Sequence, residues 1–139
     1  MEWILSKKEL PKLCEYLDLK NHRGIYLFSG DLASGKTTLI QAMVASLGSK
    51  AKVTSPTFLT ALEYGNQIYH YDIYNKDLEK LFALGFLEEI EKEGWHFIEW
   101  GDENLAKILK QIGLPFWRII IHIESKGRKY CIEESLCTH

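Results

Sequence analysis

A chain of 139 residues that is 46% hydrophobic and 26% charged can bury one ordinary globular core without covalent staples. Its net charge of −2 argues against a protein that grips nucleic acid unaided, because neutralising phosphates takes a basic surface. Three scattered cysteines, Cys14, Cys131 and Cys137, without a C-x-x-C spacing, fit a reduced, cytoplasmic compartment; no apolar run reaches the length of a membrane span or a secretory h-region.

In chain order, Met1-Glu2-Trp3 is unlike a secretory leader, and Trp3-Ile4-Leu5 reads as a short lead-in strand. Ser6 and Glu9 have capping-box spacing, and Leu10, Leu13, Cys14 and Leu17 recur on one helical face. These signals predict a helix to about Asp18, with Pro11 just inside its start. After a polar loop the apolar run Ile25–Phe28 predicts a strand, and Leu39, Ile40, Met43, Val44 and Leu47 predict a helix that stops at Gly48.

Between that strand and helix, Gly30, Gly35, Lys36 and Thr37 occupy the fixed positions of the Walker A pattern G-x-x-x-x-G-K-[ST]. The glycines let successive N–H groups turn inward on phosphate oxygens, and the helix adds its positive end. Asp31, Leu32, Ala33 and Ser34 form the body of this nucleotide-binding loop. Lys36 supplies a mobile charge for the β- and γ-phosphates, and the Thr37 hydroxyl is suited to Mg²⁺. Thr38 is either a second phosphate contact or a first-turn residue.

Beyond the helix, Val53-Thr54-Ser55-Pro56-Thr57-Phe58 packs hydroxyls around one proline and leads into a strand over Phe58–Glu63. It reads as a solvated turn or, from its place after the phosphate loop, as a γ-phosphate sensor. Residues Glu63–Gln67 supply a hairpin turn to a return strand over Ile68–Tyr74. Asp72 is placed either to project into a site at the strand end or to serve as a cap, and His70 and Tyr74 read as packing or supporting groups. Two short helices follow, Asp77–Phe82 and Phe86–Glu93, the second with a solvated face of glutamates.

The segment Trp95–Glu99 is a mostly apolar strand ending in an acid, the form of a Walker B segment. Beside a Walker A loop, Glu99 is a candidate to hold Mg²⁺, directly or through water. A helix over Asp102–Ile112 and a closing hairpin, Trp117–Ile123 with Arg128–Ile132, complete the reading. It gives one α/β domain over 1–133 and a loose tail over 134–139. Arg128 reads as a hairpin surface residue or a nucleotide contact; Cys131, Cys137 and His139 fit no standard metal spacing.

Together these segments resemble the TsaE family, small bacterial P-loop ATPases of tRNA threonylcarbamoyladenosine biosynthesis. The residues that carry the likeness are Gly30-Asp31-Leu32 with Ser34 to Thr38, Thr54-Ser55-Pro56-Thr57-Phe58, Glu63-Tyr64, Tyr69 to Tyr74, and Glu99-Trp100. The resemblance runs from about Ser6 to the final hairpin. It implies a single-domain P-loop NTPase-like fold with a mixed central sheet flanked by helices. It also implies Mg-ATP binding, and partnership with TsaB and TsaD, which carry the threonylcarbamoyl transfer; tRNA is met only through that complex. On the same footing Lys36 and Asp72 serve hydrolysis, Thr37 and Glu99 are Mg²⁺ ligands, and Thr54, Ser55, Pro56 and Thr57 form a switch. Three positions depart from the family's pattern: Ala33 replaces a glycine, Asn75 a common arginine, and Gly101 a proline or alanine. The change at Asn75 removes whatever contact that arginine makes.

In-line phosphoryl transfer calls for positive charge over the γ-phosphate, and this chain has only Arg23, Arg118 and Arg128, none between the phosphate loop and Trp117. The expectation is an ATPase slow alone and accelerated by partners. A small-molecule kinase would carry lid arginines in the middle of the chain, and a GTP switch a base-reading motif that Asn75-Lys76-Asp77-Leu78 fails by spacing. A non-hydrolysing ATP-sensing module stays open.

Overall fold

The computed structural model describes residues 1–31, 33–49, 53–54 and 61–135. Leu32, the 55–57 part of the expected switch, Cys137 and His139 lie outside the described residues, and of Thr54 only the backbone is described.

Strand β1 (Glu2–Leu5) is followed by Ser6, whose amide and hydroxyl both donate to Glu9 Oε1 at 3.0 Å. One 3-10 turn leads into helix α1 (Leu10–Leu17). Pro11 sits in its first turn, where a missing N–H costs no hydrogen bond. The remaining elements are β2 (Gly24–Gly30), α2 (Lys36–Ser46), β3 (Val53–Thr54), β4 (Ala61–Glu63), β5 (Ile68–Asp72), α3 (Leu78–Ala83), α4 (Phe86–Ile90), β6 (Trp95–Glu99), α5 (Glu103–Ile112), β7 (Phe116–Glu124) and β8 (Gly127–Ser135).

The strands form one mixed eight-stranded sheet in the order β1-β8-β7-β2-β6-β5-β4-β3. Its centre, β7-β2-β6-β5, is parallel, and antiparallel strands extend it on both sides. On one face α1 and α2 pack against Tyr26, Phe28 and Phe97; on the other α3, α4 and α5 pack against Ile25, Leu27 and Ile98. Covered on both faces, β6 is buried from end to end, which is why it reads as an apolar run rather than an alternation. Parallel register sets Phe28 beside Glu99 and Glu99 beside Asp72, so the phosphate loop and both acids stand at the same end of the sheet.

Three boundaries differ from expectation. The return strand stops at Asp72, because its carboxylate accepts from the Tyr74 amide at 3.0 Å and turns the chain. The second short helix stops at Ile90, and the chain then drops back so that Gly94 can accept from Gly24 and start β6. β8 continues to Ser135 instead of loosening after Ile132, because Glu133, Glu134 and Ser135 pair with Arg118, Trp117 and Phe116. Among the described residues no helix is long and apolar enough to cross a membrane.

Candidate functional site

The loop after β2 is tight by construction. A Cβ on Gly30 would meet the Ile121 carbonyl oxygen at 2.6 Å and Ser34 Oγ at 2.8 Å, and the residue sits at φ +148, so only glycine fits. Lys36 opens α2 and folds back over this loop, 5% exposed. Its Nζ donates to the carbonyls of Gly30 at 2.8 Å and Asp31 at 3.0 Å, and to Ser34 Oγ at 3.4 Å. The ammonium also lies 3.7 Å from the centroid of the Trp100 ring. Burial lowers its pKa; Glu99, Asp31 and Asp72 pull the other way without offsetting it.

Trp100 is held there at a backbone cost. It adopts φ +66, left-handed for a bulky residue, a strain of roughly 1–3 kcal/mol. Its amide donates to the Phe28 carbonyl at 2.8 Å, and its ring packs on Tyr74 with centroids 4.6 Å apart. Gly101 donates to the same carbonyl, and a Cβ there would press on the Leu27 side chain at 2.9 Å. The glycine that departs from the family's pattern therefore suits the packing beneath it.

On the opposite wall, Thr37 Oγ1 donates to both oxygens of Glu99, at 2.9 and 3.0 Å. Glu99 is 7% exposed, and its Oε2 also accepts from His70 Nε2 at 2.6 Å. Burial alone would raise this carboxyl; hydrogen bonds from His70 and Thr37, with the Lys36 charge nearby, outweigh it and hold the group below its usual range. The carboxylate therefore stays charged at neutral pH. Asp72, exposed at the tip of β5, completes a cleft of about 370 Å³ lined also by Ala33, Gly35, Thr38 and Trp100. A larger hollow of about 430 Å³ beside α1 contains none of the groups read as chemical.

A phosphate-bound Mg²⁺ fits this donor set. Mg²⁺ prefers hard oxygens and uses few protein ligands alongside phosphates and water. One hydroxyl and one buried, charged carboxylate already in contact supply such ligands. Among the described residues no cluster of three or more His, Cys, Asp or Glu forms a protein-only metal cage.

Arg128 reaches the loop from the start of β8, its Nε donating to the Ser34 carbonyl at 3.0 Å. It lines a second cleft of about 210 Å³ with Leu5, Leu10 and Tyr130, which shares Ser34, Gly35 and Thr38 with the first. Arg23 lies away from this end, paired with Glu93 at 3.1 Å and stacked over Trp95, and Arg118 faces Glu133. The sequence alone gives Trp100 no role of its own, reads His70 as a packing or supporting group, and places Tyr64 only in the hairpin turn. The available signals were the position of Trp100 directly after the strand-tip acid and the two-residue period that sets His70 and Asp72 on one face.

A sequence model of the family described as threonylcarbamoyl adenosine biosynthesis protein TsaE matches residues 4–130. Proteins named tRNA threonylcarbamoyladenosine biosynthesis protein TsaE are similar to the chain. That of Haemophilus influenzae is 35% identical over 93 residues, 63% of this chain and 59% of the relative. That of Nostoc is 35% identical over 77 residues, 53% and 46% of the two chains. That of Streptomyces coelicolor is 30% identical over 97 residues, 60% and 61%. The chain thus spans about half to three-fifths of the length of these relatives. The crystal structure of YdiB from Bacillus subtilis superposes with a TM-score of 0.69 over 98% of this chain and 85% of that one, at 20% identity, a likeness of fold.

Proposed function

The chain belongs to the TsaE family of threonylcarbamoyl adenosine biosynthesis proteins, and from that membership we propose that it is a Mg²⁺-dependent ATPase supporting formation of threonylcarbamoyladenosine in tRNA. One observation carries the reading: the Thr37 hydroxyl, in the first turn after the phosphate loop, is hydrogen-bonded to the strand-tip carboxylate of Glu99, with Asp72 beside it in register. This is the relation between loop and acid that a nucleoside triphosphate with its cation requires.

In this mechanism the loop amides and the start of α2 take the phosphates. Lys36 exchanges the Gly30 and Asp31 carbonyls for phosphate oxygens; Thr37 and Glu99 would hold Mg²⁺, which would supply neutralisation of the phosphate charge. Asp72 positions the attacking water or accepts its proton. The nucleoside end lies in the adjoining cleft between Leu10 and Arg128. The arginines are accounted for elsewhere: Arg128 braces the loop backbone, and Arg23 and Arg118 face Glu93 and Glu133. Hydrolysis is then slow in the isolated chain and accelerated when TsaB and TsaD dock, the nucleotide cycle resetting or regulating that complex. tRNA is met through the partners, as the net charge of −2 favours.

Turnover of Mg-ATP with and without TsaB, TsaD and tRNA tests this. The expected result is a low rate alone that rises with partners; a fast isolated enzyme indifferent to them overturns the regulatory role. Absence of ATP or ADP uptake by calorimetry, with Lys36→Ala leaving tRNA modification in cells intact, overturns the reading as a whole.

A further inference from the structure

We propose that His70 and Tyr64 form a positioning pair that fixes the Glu99 carboxylate for the divalent cation; the inference rests on the reading of Glu99 as a Mg²⁺ ligand. The three side chains make one buried line. Tyr64, His70 and Glu99 are 4%, 6% and 7% exposed. His70 Nε2 lies 2.6 Å from Glu99 Oε2, and the Tyr64 hydroxyl lies 3.2 Å from His70 Nδ1, with the two rings nearly parallel.

The two carboxylate oxygens are not equivalent. Oε2 is shared by His70 and Thr37, whereas Oε1 accepts from Thr37 alone. When the Thr37 hydroxyl turns to a cation, His70 still pins Oε2 and Oε1 becomes the free ligand. A carboxylate can only accept, so His70 carries a proton on Nε2 toward Glu99, and the Tyr64 hydroxyl meets the other ring nitrogen, Nδ1. Tyr64 holds the far side of the ring and so its orientation toward Glu99, as outer partners of metal ligands do elsewhere.

The pair is also anchored. The Tyr64 amide donates to the Ile68 carbonyl at 2.9 Å, and its own carbonyl accepts from the hydroxyl of Ser49. Ser49 lies just past the end of α2, the helix whose first turn carries Thr37. Helix α2 is therefore tied to Glu99 at its start by a direct bond and past its end through Tyr64 and His70.

The experiment follows ADP binding by calorimetry across a Mg²⁺ titration in wild type, His70→Phe, His70→Gln and Tyr64→Phe. His70→Phe is expected to raise the Mg²⁺ concentration for half-maximal effect by roughly 10–100-fold. Mg²⁺-free ADP binding stays as in wild type, and His70→Gln, which keeps an Nε2–H donor, recovers most of the loss. Nitrogen-15 spectra of the histidine rings in the metal-free protein should show His70 protonated on Nε2, with Nδ1 changed in Tyr64→Phe. An unchanged Mg²⁺ requirement in His70→Phe overturns the proposal, as does equal loss of ADP binding with and without Mg²⁺, which marks packing alone. If His70→Phe does not fold, Tyr64→Phe decides: a higher Mg²⁺ requirement supports the pair and an unchanged one refutes it. A wild type whose ADP binding ignores Mg²⁺ overturns the parent reading and this one with it.

Discussion

Lys36 lies over its own loop, with two backbone carbonyls, one hydroxyl and the face of Trp100 satisfying a buried ammonium. A triphosphate bound as proposed displaces existing contacts, on a loop that is already shaped. That shape depends on Gly30. Gly30→Ala, with its Cβ 2.6 Å from the Ile121 carbonyl oxygen, is expected to cost roughly 1–3 kcal/mol in denaturant unfolding and to abolish nucleotide binding. On the proposed reading Asp72 serves hydrolysis rather than affinity, so Asp72→Ala should bind ATP as the wild type does while turnover falls at least ~10²-fold. Turnover at the wild-type rate would remove Asp72 from the mechanism and favour an ATP-sensing module. At this scale the fixed glycines, lysine and threonine were readable because phosphate binding imposes both residue type and spacing. Trp100 was not readable as a cap on Lys36, since its position depends on a left-handed backbone that no composition or period announces.

Strand β6 holds the acid at its tip and a second buried network at its base. His96 is 1% exposed; its Nε2–H donates to the Lys92 carbonyl at 2.8 Å, and its Nδ1 accepts from the Tyr71 hydroxyl at 2.9 Å. Burial lowers its pKa below the ordinary 6.5, against the upward pull of the Lys92 carbonyl and Glu89. As pH falls through about 6.5 the unfolded chain takes up this proton before the folded one. Stability is therefore full above that pH and is lost progressively below it, down to the folded pKa. Wild type and His96→Gln, unfolded by denaturant at a series of pH values, should differ in slope across this window; equal slopes would discard the assignment. The elements themselves were largely legible, because helix period, capping residues and the apolar run of β6 are local signals. Their ends were less so. β5 stops where an Asp side chain captures an amide, and β8 runs on to Ser135 because β7 offers partners, and a neighbouring strand is not written in the segment it lengthens.

Over the whole molecule the final hairpin closes on the first functional loop. Arg128 reaches across 94 residues of chain to the Ser34 carbonyl, so the start of β8 acts as a brace on the phosphate loop. Arg128→Ala should leave the hairpin folded while amides of Gly35–Thr37 exchange faster with deuterated solvent; unchanged exchange would deny the brace. The sequence left Arg128 between a surface residue and a nucleotide contact, since nothing local tells which loop a distant strand will touch. The same long-range character has a consequence for how the protein is made. Thr37 and Glu99 stand 62 residues apart along the chain, and β2 needs both β6 and β7 beside it in parallel before its loop is fixed. Such pairings form slowly, because the intervening segment must be gathered in first. During synthesis the glycine loop leaves the ribosome long before the acid that completes it, so the nascent chain lacks the finished pocket until β6 and β7 have emerged as well. On the proposed reading ATP fits only the finished pocket, and by mass action it rewards the last step of folding and not the first.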